Sequence, residues 1–458
     1  MILGYFNVKN LCILNILNMK YLTYIREDFI MTHPQSEEYR KLLDYGRPPN
    51  VKKCFPNSNA LIVSGKYIDR AMLAKGSCMT IAANGRNAFV IKGTLAAAQR
   101  ANAAVIIEIA RSEGGTGAYC ATSLWNIARQ TDAYMNEMGI TIPVAIHADH
   151  FGIKKPEDIT PAKTEIRSLF DAGITSIAID ASHMPDDQNL LANIELNPYV
   201  PEWAGLETEV GEIKGIHGLS TPEEALFLIQ GLNAHSIFPD WIALNNGTTH
   251  GIEQSDTGIN VALTAKIHKT LAPYGISGAQ HGTSGNNSDR LRRIAKETRT
   301  TKANVATALQ MISWGVKVND FGNAIMDESG RFIKETGKGV TRGTWENMCA
   351  FAAANGWQKG NFKKLNLPFE NILTAQDAPV RERMVKGVEN FVFTLLTEVF
   401  NATDTADLVK RQIFETQSHM PGFKAKRIEQ KNEWTRERII DKASRIITDK
   451  SPEGNFDD

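Results

Sequence analysis

The sequence predicts a closed (β/α)8 barrel with an N-terminal arm and a helical C-terminal extension. Short apolar runs alternate with amphipathic segments through the middle of the 458-residue chain, the pattern of parallel strands covered by the helices that connect them. Eight such units in succession favour a closed barrel over an open sheet. The predicted strands lie at 78–83, 104–110, 144–148, 176–180, 206–210, 241–245, 276–280 and 316–319.

Polar residues follow nearly every predicted strand. Barrel enzymes carry their active sites at the carboxyl ends of the strands, and here those ends carry Asn84, Arg111 or Ser112, Asp149 and His150, Asp180, Glu209, Asn246 to His250, His281, and Asn319 with Asp320. A single one of these would be read as a helix cap or a loop residue, but their recurrence favours a common site. Imidazole nitrogens and carboxylate oxygens are ligands that Zn²⁺ takes in proteins. The pattern therefore predicts a metal enzyme.

Composition excludes several classes of partner. The chain has no formal net charge and 42% hydrophobic residues, so no overall field favours nucleic acid or an anionic membrane. The cysteines are odd in number and lack paired spacing, which favours a reducing, cytoplasmic compartment and argues against a thiolate metal site. They are Cys12, Cys54, Cys78, Cys120 and Cys349.

The chain divides into three predicted parts. Residues 1–35 are expected to be disordered or an over-extended start, because their apolar stretch at 11–19 is too short and too polar to span a membrane and lacks the features of a signal peptide. Residues 36–335 are expected to form the barrel. Residues 336–458 are expected to form the helical extension, packed on the barrel or on a partner subunit. The charged stretch from 424 to 450 is expected to be one exposed helix.

Five short motifs carry the predicted site, and their order along the chain is informative. They are His147-Ala-Asp-His150, Glu207-Thr-Glu209-Val-Gly, Gly247-Thr-Thr-His250-Gly251, His281-Gly-Thr-Ser-Gly285 and Gly315-Val-Lys-Val-Asn319. Together with the run that ends at Asp180, they resemble the class II, metal-dependent ketose-bisphosphate aldolases. The resemblance covers roughly residues 77–325 and implies a TIM barrel.

The resemblance also implies roles for the polar residues. It makes three histidines the ligands of the catalytic divalent metal and places beneath them two carboxylates that hold the ion in a second position: His150, His250, His281, Glu209 and Asp180. Three imidazoles leave one coordination position of zinc open for substrate. Asp149 matches the aspartate that protonates the aldehyde oxygen in carbon–carbon bond formation and removes that proton in cleavage.

Phosphate and hydroxyl contacts follow from the same resemblance. Gly251, Gly282 and Ser284 match positions that hold the ketose 1-phosphate, where glycine lets backbone N–H groups approach an anion closely. Asn84 and Asn319 match contacts to substrate hydroxyls. A monovalent cation near the phosphate site is a further expected cofactor beside Zn²⁺.

Three features depart from the family pattern. The loop after the Glu-x-Glu strand lacks the glutamate that takes the substrate proton, which leaves Glu212 and His217 as candidates. Asn319-Asp-Phe-Gly322 stands where an Asn-x-Asp-Thr motif is expected. The stretch between His281 and Asn319 is basic, and its arginines form either a solvated helix face or a replacement clamp for the second phosphate. They include Arg290, Arg292 and Arg293.

The predicted function is zinc-dependent, reversible aldol cleavage of fructose 1,6-bisphosphate to dihydroxyacetone phosphate and glyceraldehyde 3-phosphate, a step of glycolysis and gluconeogenesis. A cytoplasmic homo-oligomer, a homodimer in particular, that acts on a small sugar phosphate is expected. Cleavage of another ketose bisphosphate such as tagatose 1,6-bisphosphate is an alternative. A non-catalytic relative that binds metal or sugar phosphate and a metal-dependent hydrolase are the other classes left open; the glycine-rich phosphate positions argue against the hydrolase.

Overall fold

The barrel predicted from the sequence is confirmed. The computed structural model describes residues 36–211, 218–247, 258–284, 286–320 and 322–446. Within these residues eight parallel strands close into one sheet in sequence order, with β8 paired to β1. The strands are β1 Thr80–Asn84, β2 Val105–Ala110, β3 Val144–Gly152, β4 Ser176–Asp180, β5 Gly205–Val210, β6 Trp241–Leu244, β7 Ser277–Gln280 and β8 Thr300–Val305.

The eighth strand is not the predicted one. Residues 316–319 belong to a small antiparallel arrangement, in which Val316 bridges to Lys334 and Val318 to Ala324. The true β8 reads Thr-Thr-Lys-Ala-Asn-Val, and all six residues are buried. Lys302 and Asn304 contact acidic side chains of other strands in the barrel interior. Because these polar side chains are paired in the barrel interior, β8 can be fully buried although its sequence is polar. The apolar run by which a buried strand is recognised in the sequence is therefore absent from β8.

Helices precede the barrel and connect its strands. Local capping residues explain where several of them begin: the Asn87 side chain accepts hydrogen bonds from the N–H groups of Phe89 and Val90, and Thr221 and Glu224 form a reciprocal capping box. The helices are α1 Glu37–Gly46, α2 Pro49–Cys54, α3 Gly65–Lys75, α4 Ala88–Ala101, α5 Arg111–Gly114, α6 Ile127–Met138, α7 Ile159–Asp171, α8 Asp186–Leu196, α9 Pro222–Ala234, α10 Val261–Thr270, α11 Ser288–Glu297 and α12 Thr307–Trp314, with 3-10 turns at Pro156–Asp158, Asn197–Tyr199 and Ala272–Tyr274.

The helices after the barrel pack on its outer helices. Gly93 of α4 lies so close to the later helix at Ala378–Thr394 that a Cβ atom on Gly93 would come within 2.6 Å of Val388 Cβ. The division of the chain at 335/336 stays a prediction. These later helices are α13 Arg342–Ala354, α14 Asn366–Thr374, α15 Ala378–Thr394, α16 Thr405–Thr416 and α17 Arg436–Ala443, with 3-10 turns at Lys359–Leu365 and Lys431–Trp434 and a π-helical turn at Leu395–Val399.

The tail does not form the single exposed helix predicted from residue 424 onward. α17 is short, and Lys424 inserts at the amino-terminal end of the barrel. Its Nζ atom lies 2.5 Å from Asp69 Oδ2 and donates to the Asp240 carbonyl at 2.7 Å and to Ser277 Oγ at 2.9 Å. No helix in the described part of the chain has both the length and the apolarity needed to cross a membrane.

Candidate active site

Asp149 and His150 enter the site from the end of β3. Strict alternation along a strand would point adjacent side chains to opposite faces. Here the pairing of β3 with β4 shifts register between Ala148 and Phe151, and His150 has a positive φ of 41°, which is uncommon for a residue other than glycine. This local irregularity lets both side chains face the carboxyl end of the barrel.

Two of the predicted metal-ligating histidines meet at this end. His150 Nε2 lies 2.6 Å from Nδ1 of His281, which directly follows β7, and the two ring centroids are 4.2 Å apart. The other nitrogen of His281, Nε2, hydrogen-bonds to Glu207 Oε1 at 2.9 Å. A carboxylate that accepts from one ring nitrogen leaves the opposite nitrogen as the lone-pair donor, which is how proteins commonly orient a ligating histidine.

The two predicted carboxylates lie beside this histidine pair. His150 Nδ1 is 3.3 Å from Asp180 Oδ2 and 3.1 Å from Glu209 Oε1. Burial alone would lower the pKa of His150, but Glu209 and Asp149 raise it well above its usual value. Donor atoms of His150, Asp180 and Glu209 all lie within 4.8 Å of one another, as do those of Asp149, His150 and His281. Clustered imidazole and carboxylate donors fit a divalent metal ion such as zinc.

A layer of charged side chains lies inside the barrel beneath the histidines. Lys302 Nζ lies 2.8 Å from Glu207 Oε2, 3.2 Å from Glu108 Oε2 and 3.5 Å from Asp149 Oδ1. Burial would lower the pKa of Lys302, but these carboxylates raise it far above its usual value. His147 also belongs to this layer; burial and Lys302 lower its pKa to about 3, so its ring is neutral.

Asp149 is held as an anion next to the histidine pair. Asn304 Nδ2 donates to Asp149 Oδ1 at 2.9 Å. Burial would raise the pKa of Asp149, but Lys302 and the neighbouring histidines lower it below its usual value. A buried carboxylate with a fixed hydrogen-bond donor and a nearby cation is positioned to accept a proton from a bound substrate.

A pocket opens above these groups. Asn84, Gly282 and Ser284 line it together with Asp149, His150 and His281. The Asn84 amide is fixed by donation to Glu113 Oε2 at 2.7 Å. Three of the predicted substrate contacts thus share one pocket with the predicted acid/base residue and two of the metal ligands.

Comparison with known proteins identifies the chain's relatives. The family model described as "Fructose-bisphosphate aldolase class-II" matches residues 68–377. The chain belongs to the class II fructose-bisphosphate aldolase family. This match extends beyond the segment 77–325, in which the sequence motifs lie.

Individual relatives match smaller parts of the chain. The fructose-bisphosphate aldolase of Staphylococcus aureus is 28% identical over 204 residues, which cover 40% of this chain and 65% of that protein. The chain thus spans just under two thirds of the length of the curated relatives it matches first. The Geobacillus stearothermophilus enzyme is 28% identical over 226 residues, 47% of this chain and 71% of that protein.

Solved structures give weaker likenesses. The YdjI aldolase of Escherichia coli K12 is 16% identical with a TM-score of 0.49 over 75% of this chain and 98% of that one. The fructose-bisphosphate aldolase of Campylobacter jejuni is 17% identical with a TM-score of 0.49 over 76% of this chain and 97% of that one.

The prediction that the Asn-x-Asp-Thr motif of the last strand lies at residues 319–322 is wrong, because the last strand of the barrel is Thr300–Val305. Asn319, expected at the end of the eighth strand, lies in the antiparallel arrangement after α12 and lines a neighbouring cavity of about 320 Å³ together with Ser284. The end of the true strand reads Asn304-Val-Ala306-Thr307, which has the Asn-x-x-Thr spacing of the expected motif with alanine in place of aspartate. That spacing is the sequence signal that would have identified Asn304.

Other predicted residues cannot be placed. His250, Gly251, Glu212 and His217 lie outside the described residues, so their roles as third metal ligand, phosphate contact and proton-transfer candidates stay predictions.

The structure favours the solvated-face interpretation of the basic stretch. Arg292 pairs with Asp289 at 2.7 Å and Arg293 with Glu297 at 2.8 Å, all on the exposed side of α11. Arg290 Nη1 donates to Asn286 Oδ1 at 3.3 Å. Exposed pairs within one helix contribute little to stability and face solvent.

Proposed function

We propose that this chain is a zinc-dependent aldolase that reversibly cleaves fructose 1,6-bisphosphate to dihydroxyacetone phosphate and glyceraldehyde 3-phosphate in glycolysis and gluconeogenesis. The observation that carries the proposal is the pair of histidine nitrogens, 2.6 Å apart, with the Asp149 carboxylate beside it in one pocket. Membership of the class II family supports the same activity.

The metal would be held by His150, His281 and His250, with Glu209 and Asp180 as carboxylates that orient the histidines or hold the ion in a second position. When bound, a divalent ion acts as a Lewis acid that polarises the substrate ketone and stabilises developing negative charge on its oxygen. Glu207 fixes the ring of His281 from behind, which preorganises one ligand before the ion arrives.

Asp149 would move the proton on the substrate hydroxyl. In cleavage its carboxylate takes the proton of the C4 hydroxyl, the electron pair left on that oxygen forms the aldehyde carbonyl, and the C3–C4 bond breaks. The bonding pair remains with the three-carbon fragment as an enediolate, which then gains a proton at C3. Glu212 and His217 are the candidates for that second proton transfer. In synthesis the same steps run in reverse.

The glycine-rich turn after β7 would hold the ketose 1-phosphate. Gly282 has a φ of 59°, a conformation that glycine adopts without a steric penalty, and Ser284 supplies a hydroxyl donor in the same pocket. Gly251 would add a backbone donor, Asn84 would contact a substrate hydroxyl, and a monovalent cation would lie near the phosphate. Asn319 lines the neighbouring cavity and takes no part in this proposal. A cytoplasmic homo-oligomer, a homodimer in particular, completes the proposal.

A cleavage assay with and without a chelator tests the function. We expect the purified protein to release dihydroxyacetone phosphate from fructose 1,6-bisphosphate, to lose that activity after chelation and to recover it with zinc. Tagatose 1,6-bisphosphate in a parallel arm distinguishes the alternative sugar. Zinc binding without cleavage of either sugar would indicate a non-catalytic relative, and release of inorganic phosphate without carbon–carbon cleavage would indicate a hydrolase; both outcomes contradict the proposal.

A further inference from the structure

Arg86 is a buried cation in the pocket that the predicted catalytic residues share. It follows the end of β1 by two residues and is 5% exposed. Among the described residues that line this pocket, it is the sole lysine or arginine. A phosphate dianion requires charge-assisted donors for tight binding. The position of Arg86 therefore makes it a candidate for that interaction.

Neighbouring side chains fix the orientation of the guanidinium group. Arg86 Nε donates to Glu113 Oε1 at 2.7 Å, and Nη2 pairs with the same oxygen. Nη1 donates to Gln310 Oε1 at 3.2 Å and makes a longer contact with Thr307 Oγ1 at 3.4 Å. Glu113 thus engages the Nε–Nη2 edge. Nη1 and Nη2 carry two N–H groups each. An oxyanion at the Nη1–Nη2 edge would take the second N–H of Nη2 and would share or replace the contacts of Nη1 with Gln310 and Thr307.

The carboxylate that holds Arg86 is itself anchored. Glu113 Oε2 accepts from Asn84 Nδ2 at 2.7 Å and from the Ala110 N–H at 3.2 Å. Burial would lower the pKa of Arg86, but Glu113 raises it above its ordinary value, so the group stays charged. Burying such a pair costs desolvation free energy that an apolar pair would avoid, so its presence at a pocket wall favours a role in binding.

The end of β8 gives a second, independent reason. Ala306 belongs to the segment Asn304-Val-Ala306-Thr307, where the resemblance to the family implies an aspartate, and it lines the same pocket as Arg86. β8 and β1 are neighbours in the barrel. On this side of the pocket, one negative charge of the motif is therefore absent and a guanidinium is present. Both changes favour an anionic ligand group.

We propose that Arg86 binds the phosphate of the three-carbon, ketone-bearing half of the substrate, together with the Gly282–Ser284 turn. The inference rests on the proposed aldolase function and deepens it. Arg86 would act as a binding residue with the Nη1–Nη2 edge toward the phosphate oxygens, while Glu113 keeps that edge aimed at the pocket.

Binding of dihydroxyacetone phosphate to the zinc-loaded protein tests the proposal. The main variant is the double change Arg86→Gln with Glu113→Gln, because it removes the cation without leaving a buried carboxylate unpaired. We expect its Kd for dihydroxyacetone phosphate, measured by calorimetry, to rise about 10-fold or more, the usual effect of losing a hydrogen bond to a charged group. Bound zinc should be unchanged. Arg292→Gln, on the exposed face of α11, is the matched control and should bind like the parent.

Arg86→Lys supplies a second measurement. Lysine keeps the charge but lacks the planar fork, so we expect a several-fold rise in Kd; this variant decides the question if the double variant loses its fold or its zinc. Parent-like affinity in the double variant with full zinc would overturn the proposal, as would parent-like affinity in Arg86→Lys where that variant decides. A parent protein that neither cleaves the bisphosphate nor binds dihydroxyacetone phosphate would contradict the proposed function itself, and with it the role of Arg86. Parent activity with unchanged binding in the variants would contradict only the role of Arg86.

Discussion

Replacing Glu207 by glutamine should weaken zinc binding although Glu207 is not among the predicted ligands. Its Oε1 atom accepts from His281 Nε2 at 2.9 Å, and its Oε2 atom accepts from Lys302 Nζ at 2.8 Å. The side chain is fully buried. A carboxylate behind a ligating histidine fixes the ring and its tautomer and raises its basicity, and losing such a partner typically reduces metal affinity about 10- to 100-fold.

The two contacts of Glu207 place the expected loss near the upper end of that range. In Glu207→Gln, the charged Lys302 amine requires the amide oxygen, so the amide NH₂ group turns toward His281 Nε2. That nitrogen must then accept a hydrogen bond, which moves the ring proton to Nδ1, the nitrogen that faces His150. A protonated Nδ1 cannot ligate metal. We therefore expect about a 100-fold weaker zinc affinity, or roughly 2.7 kcal/mol.

Competition with a chromophoric zinc chelator measures this effect, and Glu108→Gln is the matched control. Glu108 is equally buried and lies 3.2 Å from Lys302 Nζ, so its replacement also changes a carboxyl group of this layer that contacts Lys302. Among the described residues, Glu108 forms an ion pair with Lys302 and none with His281. Zinc affinity should stay close to that of the parent in this control. Equal losses in both variants would indicate a general effect of altering the buried layer around Lys302, and an unchanged affinity in Glu207→Gln would refute the orienting role.

Two further changes give predictions of other kinds. Asp149→Asn should keep bound zinc while lowering turnover about 10²- to 10⁴-fold, the usual scale for a general acid/base; near-parent turnover in a cleavage assay would exclude that role. Lys424→Met should lower the free energy of unfolding in urea by about 3–5 kcal/mol, because it leaves Asp69 buried without its cation. Adding Asp69→Asn should restore most of the loss, and the exposed Lys426→Met should change little; a loss below about 1 kcal/mol in Lys424→Met would contradict the buried-pair argument.

The sequence was sufficient for seven of the eight strands because parallel barrel strands are covered on both faces. β4 lies at the predicted residues, and β2, β5, β6 and β7 differ by one residue at an end. Such burial favours short runs rich in apolar residues, as in Val105–Ala110 of β2 and Trp241–Leu244 of β6. The same reasoning also located the carboxyl ends of the strands, and with them Asp149, His150, Asp180, Glu209 and His281.

The interior charges could not be found by that reasoning. Lys302 is stable in the barrel because Glu108, Glu207 and Asp149 come from three other strands. Burial of a charge is tolerated when the charge is paired. The sequence near Lys302 does not predict these partners, because they lie far away along the chain. A strand that satisfies its polar groups through distant residues therefore looks like a loop or an exposed helix until the barrel is closed.

The residues at the wall of the pocket are likewise distant in sequence and brought together only by the barrel. Arg86 and Ala306 are 220 positions apart, yet β1 and β8 are neighbouring strands, and Arg86 lies within weak contact distance of Thr307. Sequence patterns alone place the Asn-x-Asp-Thr motif at residues 319–322 and do not single out Arg86. Once β8 is placed, the lost carboxylate and the guanidinium line one pocket. Arg86, and not Arg292 or Arg293 of α11, is therefore the arginine that lines the pocket, which is why we propose it as the phosphate ligand.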